Sequence, residues 1–231
     1  MKPNLHSRSF FERFLPKQPC FLCGALSHDG VWCAACDADL PYLTAAHCPI
    51  CALPSANGDI CGQCLQHPPQ FDRTYAAFAY AFPLNKLIQA AKFSGQITLI
   101  NRLADALTQQ LDQMPDGLIA MPLHPLRLRE RGFNQSLLLA QRIAKQLKIP
   151  LYKQSVERVR NTTPQSTLPL KERDKNMRDA FACAVDFSGQ HLAIVDDVMT
   201  TGASIEALSR TLRQAGAKQI SAWVVTRTLH H

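Results

Sequence analysis

Two adjacent carboxylates, Asp196 and Asp197, stand just before a run of small and hydroxyl-bearing residues, Thr200, Thr201, Gly202, Ala203 and Ser204. These groups suit one task, holding a phosphorylated sugar. The carboxylates can accept hydrogen bonds from two neighbouring hydroxyls of a pentose. A tight turn offers backbone N–H groups to a phosphate, and the positive end of a following helix dipole favours the anion. Gly202 has no Cβ, so the backbone can come close to the ligand. Two elements must position this set. Leu192–Val195 is an apolar run that reads as a buried strand ending at the acids. Ile205, Leu208 and Leu212 have the spacing of one helix face behind the turn. The chain has no G-x-x-x-x-G-K-[ST], so the turn is not a nucleoside-triphosphate P-loop.

The second concentration of chemistry is sulfur. Eight of nine cysteines fall in four C-x-x-C pairs: Cys20/Cys23, Cys33/Cys36, Cys48/Cys51 and Cys61/Cys64. Nine residues separate the first pair from the second and nine the third from the fourth, which reads as one unit used twice. Each pair turns two thiolates toward one centre, and two pairs match tetrahedral Zn²⁺. A disulfide framework would need an oxidising compartment, to which nothing in the chain points. Cysteine ligation also permits iron–sulfur binding. The expectation is two closed structural Zn²⁺ sites formed sequentially, although spacing also allows an interleaved arrangement. His28, His47 and His67 are not needed as ligands, and Cys183 reads as a packed core thiol. The module spans 20–66 after a tail at 1–19, and metal binding would supply much of its folding free energy.

The remaining residues, 71–231, alternate strand and helix patterns. Thr74–Phe82, Leu118–Met121, His191–Val195 and Ile220–Thr226 read as strands. Helices are expected from Pro83 to Phe93, from Ile97 to Met114 and from Asn134 to Leu147. Leu151–Val159 is expected to be extended. The pattern is α/β, with a mainly parallel sheet covered on both faces. Ligands of such sheets gather at the carboxyl ends of the strands. One such end is Asp196-Asp197. The other is Pro122-Leu123-His124, leading through Arg131-Gly132 to Asn134. If these strands are parallel, both loops open into one crevice.

Charge reinforces this picture. The net charge is +7, yet Met121–Arg178 alone holds 13 Lys/Arg against 4 Asp/Glu. A local basic field suits pyrophosphate or a nucleic-acid backbone. Aromatic residues are only 7% and do not interleave with the basic run, which gives bases few stacking platforms. The polar stretch between Arg158 and Asn176 has the length and character of a lid. No apolar run is long enough to insert in a membrane and no signal-peptide pattern is present, so a cytoplasmic protein is expected.

Ile194–Ser204 resembles the phosphoribosyl-pyrophosphate (PRPP) signature of type I phosphoribosyltransferases. The cysteine pairs, Arg131-Gly132-Phe133-Asn134-Gln135, Arg160-x-Thr162-x-x-Gln165, Arg173 and Asn176 extend that likeness from Cys20 to Thr228. Together they resemble the ComF/GntX family of competence and DNA-utilisation proteins. The resemblance implies a double zinc ribbon fused to a type I phosphoribosyltransferase-like domain. It implies that Asp196 and Asp197 take the ribose hydroxyls and that Thr200, Thr201, Gly202, Ala203 and Ser204 take the 5′-phosphate. It assigns His124, Arg131, Gly132, Arg160 and Arg173 to pyrophosphate and the lid, with Asp196, Asp197 and Arg131 as the catalytic set. Mg²⁺ would accompany PRPP. The implied activity is pentosyl transfer. The alternative is a non-catalytic sensor or adaptor that holds single-stranded DNA. DNA-uptake or recombination proteins are the expected partners.

Overall fold

A computed structural model describes residues 18–27, 30–94, 96–160 and 180–229. The lid stretch with Gln165, Arg173 and Asn176 lies outside these residues, as do His28 and most of the N-terminal tail. The chain forms two compact units, Met1–Leu40 and Pro41–His231. The second pair of cysteine knuckles therefore belongs, by packing, to the larger unit.

In the smaller unit, β1 (Gln18–Pro19) pairs antiparallel with β2 (Leu26–Ser27), and the short α1 (Ala34–Ala38) follows. Val31 and Trp32 are buried. The Trp32 indole N–H donates to Asp37 Oδ1 at 2.5 Å, so this buried aromatic is both packed and satisfied.

The larger unit begins with the second pair of knuckles and α2 (Gly62–Gln66). Its sheet is built from β3 (Arg73–Ala79), β4 (Gly117–Ala120), β7 (His191–Met199) and β8 (Gln219–Arg227), in the order β3-β8-β7-β4. All three pairings are parallel. Central parallel strands are covered on both faces and so read as unbroken apolar runs. Leu192–Val195 and Ala222–Val225 are such runs, and every side chain in them is fully buried. Between the strands lie α3 (Leu84–Ser94), α4 (Ile97–Thr108), α5 (Pro125–Arg131), α6 (Gln135–Leu147) and α7 (Ala203–Gln214). The apolar stripes of α4, α6 and α7 bury Leu99, Leu103 and Leu107, then Leu139 and Ile143, then Ile205, Leu208 and Leu212.

Five local features differ from the sequence expectations. β7 continues through the acids to Met199, because Asp196, Val198 and Met199 stay in register with Val224, Thr226 and Arg227 of β8. The helix expected to reach Met114 ends at Thr108, whose hydroxyl donates to the Asp105 carbonyl at 2.8 Å. The stretch after His124 is the helix α5 rather than a loop. Pro125 starts it, His124 Nδ1 accepts from the Leu126 N–H at 3.3 Å, and Gly132 closes it at φ +77°. Within Leu151–Val159 only β5 (Val156–Arg158) is a strand, and it pairs antiparallel with β6 (Phe181–Cys183). Cys183 is half-exposed, with its thiol 3.3 Å from the Val185 carbonyl.

The second cysteine module continues the sheet at its β3 edge. Tyr42 bridges Phe78, the Leu43 N–H donates to the Ala77 carbonyl and the Ala79 N–H to the Pro41 carbonyl. Thr74 donates its N–H to Pro49 at 2.9 Å and its hydroxyl to Ile50 at 2.5 Å. An edge strand that would otherwise leave polar backbone open is covered by the segment that carries the cysteines.

Candidate functional site

β4 and β7 are parallel neighbours, with Ala120 beside Val195. Their carboxyl ends therefore lie on the same side of the sheet, and the chain leaves β4 toward α5 and β7 toward the turn at 200–202. Successive side chains of a strand point to opposite faces, so Asp196 and Asp197 would ordinarily splay apart. The N-terminus of α6 reaches both. The Ser136 hydroxyl donates to Asp196 Oδ1 at 2.9 Å, and Gln135 Nε2 lies 3.5 Å from Asp197 Oδ2. The Asp197 N–H also donates to Asp196 Oδ1 at 2.9 Å. Asn134 fixes this helix end. Its Oδ1 accepts from the N–H groups of Ser136 and Leu137, and its Nδ2 donates to the Met121 carbonyl at 3.1 Å. One side chain thus caps α6 and ties it to the exit of β4.

Arg131 donates to Gln135 Oε1 at 3.1 Å, which sets a chain of contacts from the end of α5 through Gln135 to Asp197. Burial and the neighbouring charge of Asp197 push the Asp196 carboxyl well above the usual carboxylate range, against the pull of the Ser136 hydroxyl and the Asp197 N–H. Arg158 interacts electrostatically with this acid. Burial, then repulsion from Arg127, lowers its pKa, while Asp196 draws it up. Arg127 and Arg158 repel one another, and an anion bound between like charges would relieve that repulsion.

The turn after β7 is built for close approach. Gly202 sits at φ +86° as the N-cap of α7, and the Ala203 N–H reaches Thr201 Oγ1 at 3.4 Å. A Cβ on Gly202 would meet the Met199 methyl at 2.8 Å. Thr200 and Thr201 are exposed, with Gly202 buried beneath them. α7 leads from the turn with its first amides free of intrahelical acceptors. His124 serves as the cap of α5, and Arg160 is exposed at the end of the described segment.

The eight paired cysteines gather as Cys20, Cys23, Cys33 and Cys36, and as Cys48, Cys51, Cys61 and Cys64. This is the sequential arrangement. Within each set the sulfurs lie within 4.8 Å of one another. Cys23–Cys33 and Cys51–Cys61 are both 3.7 Å apart. Zn–S bonds of about 2.3 Å at tetrahedral angles place sulfurs about 3.8 Å apart, so both sets fit structural Zn²⁺. The internal repeat is visible in atomic detail. Cys33 N–H points at Cys20 Sγ at 3.3 Å, and Cys61 N–H at Cys48 Sγ at 3.4 Å. The residues that follow the first pairs, Gly24 and Ala52, both have positive φ.

Comparison with known proteins agrees with both halves. The double zinc ribbon domain family matches residues 10–65, and the phosphoribosyl transferase domain family matches residues 134–230. The chain is 36% identical over 222 residues to DNA utilization protein YhgH of Salmonella typhimurium, covering 91% of this chain and 97% of the relative. It is 34% identical over 208 residues to Competence protein F of Haemophilus influenzae, covering 85% and 84%. The chain belongs to this competence and DNA-utilization family. Among solved structures, a purine phosphoribosyltransferase from Pyrococcus horikoshii Ot3 aligns over 56% of this chain and 83% of its own, at 24% identity and a TM-score of 0.36.

For this family member, sequence reasoning named the acids, the turn, Arg131 and the cysteines, and the structure brings the acids, turn and Arg131 to one end of the sheet. It gave no role to Gln135, Ser136, Arg127 or Arg158. Gln135 and Ser136 follow an N-cap asparagine directly, which was a usable signal. Arg127 and Arg158 carry no motif. Among the described residues no helix is long and apolar enough to cross a membrane.

Proposed function

We propose that this chain binds PRPP with Mg²⁺ and serves in DNA uptake or utilisation. The observation that carries the reading is the paired carboxylates Asp196 and Asp197, placed by β7 beside the turn at 200–204 and braced by Ser136 and Gln135 of α6. In this reading the two acids accept hydrogen bonds from the ribose 2′ and 3′ hydroxyls. Thr200, Thr201, Gly202, Ala203 and Ser204 surround the 5′-phosphate with amides and hydroxyls. Arg131, tied through Gln135 to Asp197, faces the pyrophosphate, and Arg127 and Arg158 add positive charge. His124 and Gly132 shape that side of the crevice, and Arg160 and Arg173 approach with the lid. The relatives' names, DNA utilization protein and competence protein, support the DNA role.

The proposed reaction is pentosyl transfer. The bond from C1 of the ribose to pyrophosphate breaks, and an acceptor nucleophile forms the new bond at C1. Charge gathers on the departing pyrophosphate, so cationic side chains matter most there. The site's hard carboxylate oxygens suit Mg²⁺, which supplies charge neutralisation for the leaving group when bound. The residues of this chain hold the sugar, orient C1 toward the crevice and oppose the leaving group's charge with guanidinium groups. The acceptor brings its own nucleophile.

The basic stretch Met121–Arg178 favours a second reading, in which the same site is a sensor on a protein that holds single-stranded DNA or acts as an adaptor. Calorimetry with PRPP, with and without Mg²⁺, tests the binding claim. Saturable, Mg²⁺-dependent binding is expected, and absence of heat would reject it. Pyrophosphate release with nucleobase acceptors selects the catalytic reading. Oligonucleotide affinity that falls steeply with salt, without release, selects the second.

A further inference from the structure

Arg227, the last residue of β8, is only 1% exposed. Its guanidinium joins two places that the sequence keeps far apart. Nε donates to the Cys51 carbonyl at 2.7 Å, inside the second cysteine cluster. Nη1 donates to the Met199 carbonyl at 3.1 Å, to the Thr200 carbonyl and to the Thr228 carbonyl at 2.9 Å. Met199 and Thr200 are the residues through which β7 enters the phosphate-binding turn. Packing follows the same path. Ala52, fully buried beside Cys51, shares one apolar cluster with Phe71, Met199 and Ile205. Met199 and Phe71 are the side chains that lie against Gly202.

A buried cation needs both hydrogen-bond acceptors and compensating charge. The acceptors given above are backbone carbonyls. The Cys51 carbonyl that Arg227 holds belongs to the cluster of Cys48, Cys51, Cys61 and Cys64, whose four thiolates outweigh the charge of one Zn²⁺ and so offer compensating negative charge. A metal that closes this cluster also fixes the knuckle whose carbonyl Arg227 grips.

We propose that Arg227 is a positioning residue that makes the second zinc knuckle part of the phosphate-binding turn, so that the turn's grip on a sugar phosphate depends on metal in that cluster. The ligand half of this inference rests on the sugar-phosphate reading above. The coupling half does not, since the turn's order can be read without ligand.

The test uses the full zinc-loaded chain, the variants Arg227→Met, Arg227→Lys and Cys64→Ser, and wild type stripped with a chelator. Amide hydrogen exchange at 200–206 is measured against the internal reference 118–120 in β4. Affinities for ribose 5-phosphate and for inorganic pyrophosphate are measured by calorimetry. Loss of charge-assisted hydrogen bonds predicts that Arg227→Met weakens ribose 5-phosphate about tenfold or more. Pyrophosphate affinity should be unchanged, because that group faces Arg131. Exchange at 200–206 should speed up while 118–120 stays protected. Arg227→Lys reaches only part of the carbonyl set and should fall between. Chelation and Cys64→Ser should speed the same amides. Wild-type exchange and affinity in Arg227→Met would overturn the proposal, as would equal losses for both ligands. A turn indifferent to metal would overturn it too. If Arg227→Met does not fold, Arg227→Lys and the chelated wild type decide. If wild type binds no ribose 5-phosphate, the sugar-phosphate reading fails, and exchange at 200–206 alone judges the coupling.

Discussion

Replacing Asp196 by Asn should make the protein more stable and its site worse. Asp196 and Asp197 are adjacent, and burial together with its neighbour's charge raises the Asp196 pKa above its unfolded value. Between those two pKa values the folded chain holds a proton that the unfolded chain has lost. Folding stability therefore falls as pH rises through that window, and the penalty is complete above the folded pKa. Two unit charges about 4 Å apart repel by roughly 4 kcal/mol at an effective dielectric constant of about 20. Donors that stabilise the charged form, the Ser136 hydroxyl and the Asp197 N–H, return part of this. Asn retains Oδ1 as their acceptor and removes the charge. The net gain for Asp196→Asn is about 2 kcal/mol at alkaline pH, which for a chain of this size is roughly 4–8 °C in melting temperature. Below the unfolded carboxylate pKa the gain should vanish, since both side chains are then neutral. Thermal denaturation of wild type and Asp196→Asn from pH 4 to 9 measures this directly. A melting-temperature difference that does not grow with pH would refute the charge argument. PRPP affinity at pH 8 should move the other way and fall by at least about tenfold, the scale of one charge-assisted hydrogen bond.

Other predictions follow from single contacts. Gly202→Ala forces a residue with a Cβ to φ +86° and against the Met199 methyl, and should cost about 1–2 kcal/mol by urea denaturation while weakening ribose 5-phosphate. Ile194→Ala empties a fully buried position in the central strand and should cost about 2–5 kcal/mol in the same assay. Arg131→Ala should weaken pyrophosphate more than ribose 5-phosphate, seen by paired calorimetric titrations. Metal analysis should return two Zn²⁺ per chain, and Cys48→Ser should reduce it to one; retention of both would contradict the assignment of Cys48.

Much of this architecture was legible in the sequence because local pattern and tertiary role coincide. Leu192–Val195 had to be a buried strand, and the stripe of Ile205, Leu208 and Leu212 had to be a helix face. The cysteine pairs announced metal ligation through their spacing, while which pairs share a centre came from the fold. The extension of β7 through the acids was not legible, because pairing with β8 is a long-range event that overrides the turn-like look of two carboxylates. α5 was hidden because its start and stop signals, Pro125 and Gly132, bracket only seven residues. The roles of Gln135 and Ser136 depend on the distance between α6 and β7, which no periodicity encodes. Arg227 reads as an unremarkable residue at a strand end. Its importance comes from the second cysteine knuckle packing against the sheet, a contact across 176 residues of sequence.

The most direct measurement is a calorimetric titration of PRPP and Mg²⁺ into the wild-type chain and into the double variant Asp196→Ala/Asp197→Ala at matched zinc content. The account predicts saturable binding by wild type and a loss of about a hundredfold or more in the double variant, the scale of two charge-assisted hydrogen bonds. Equal affinity in the two proteins would contradict it.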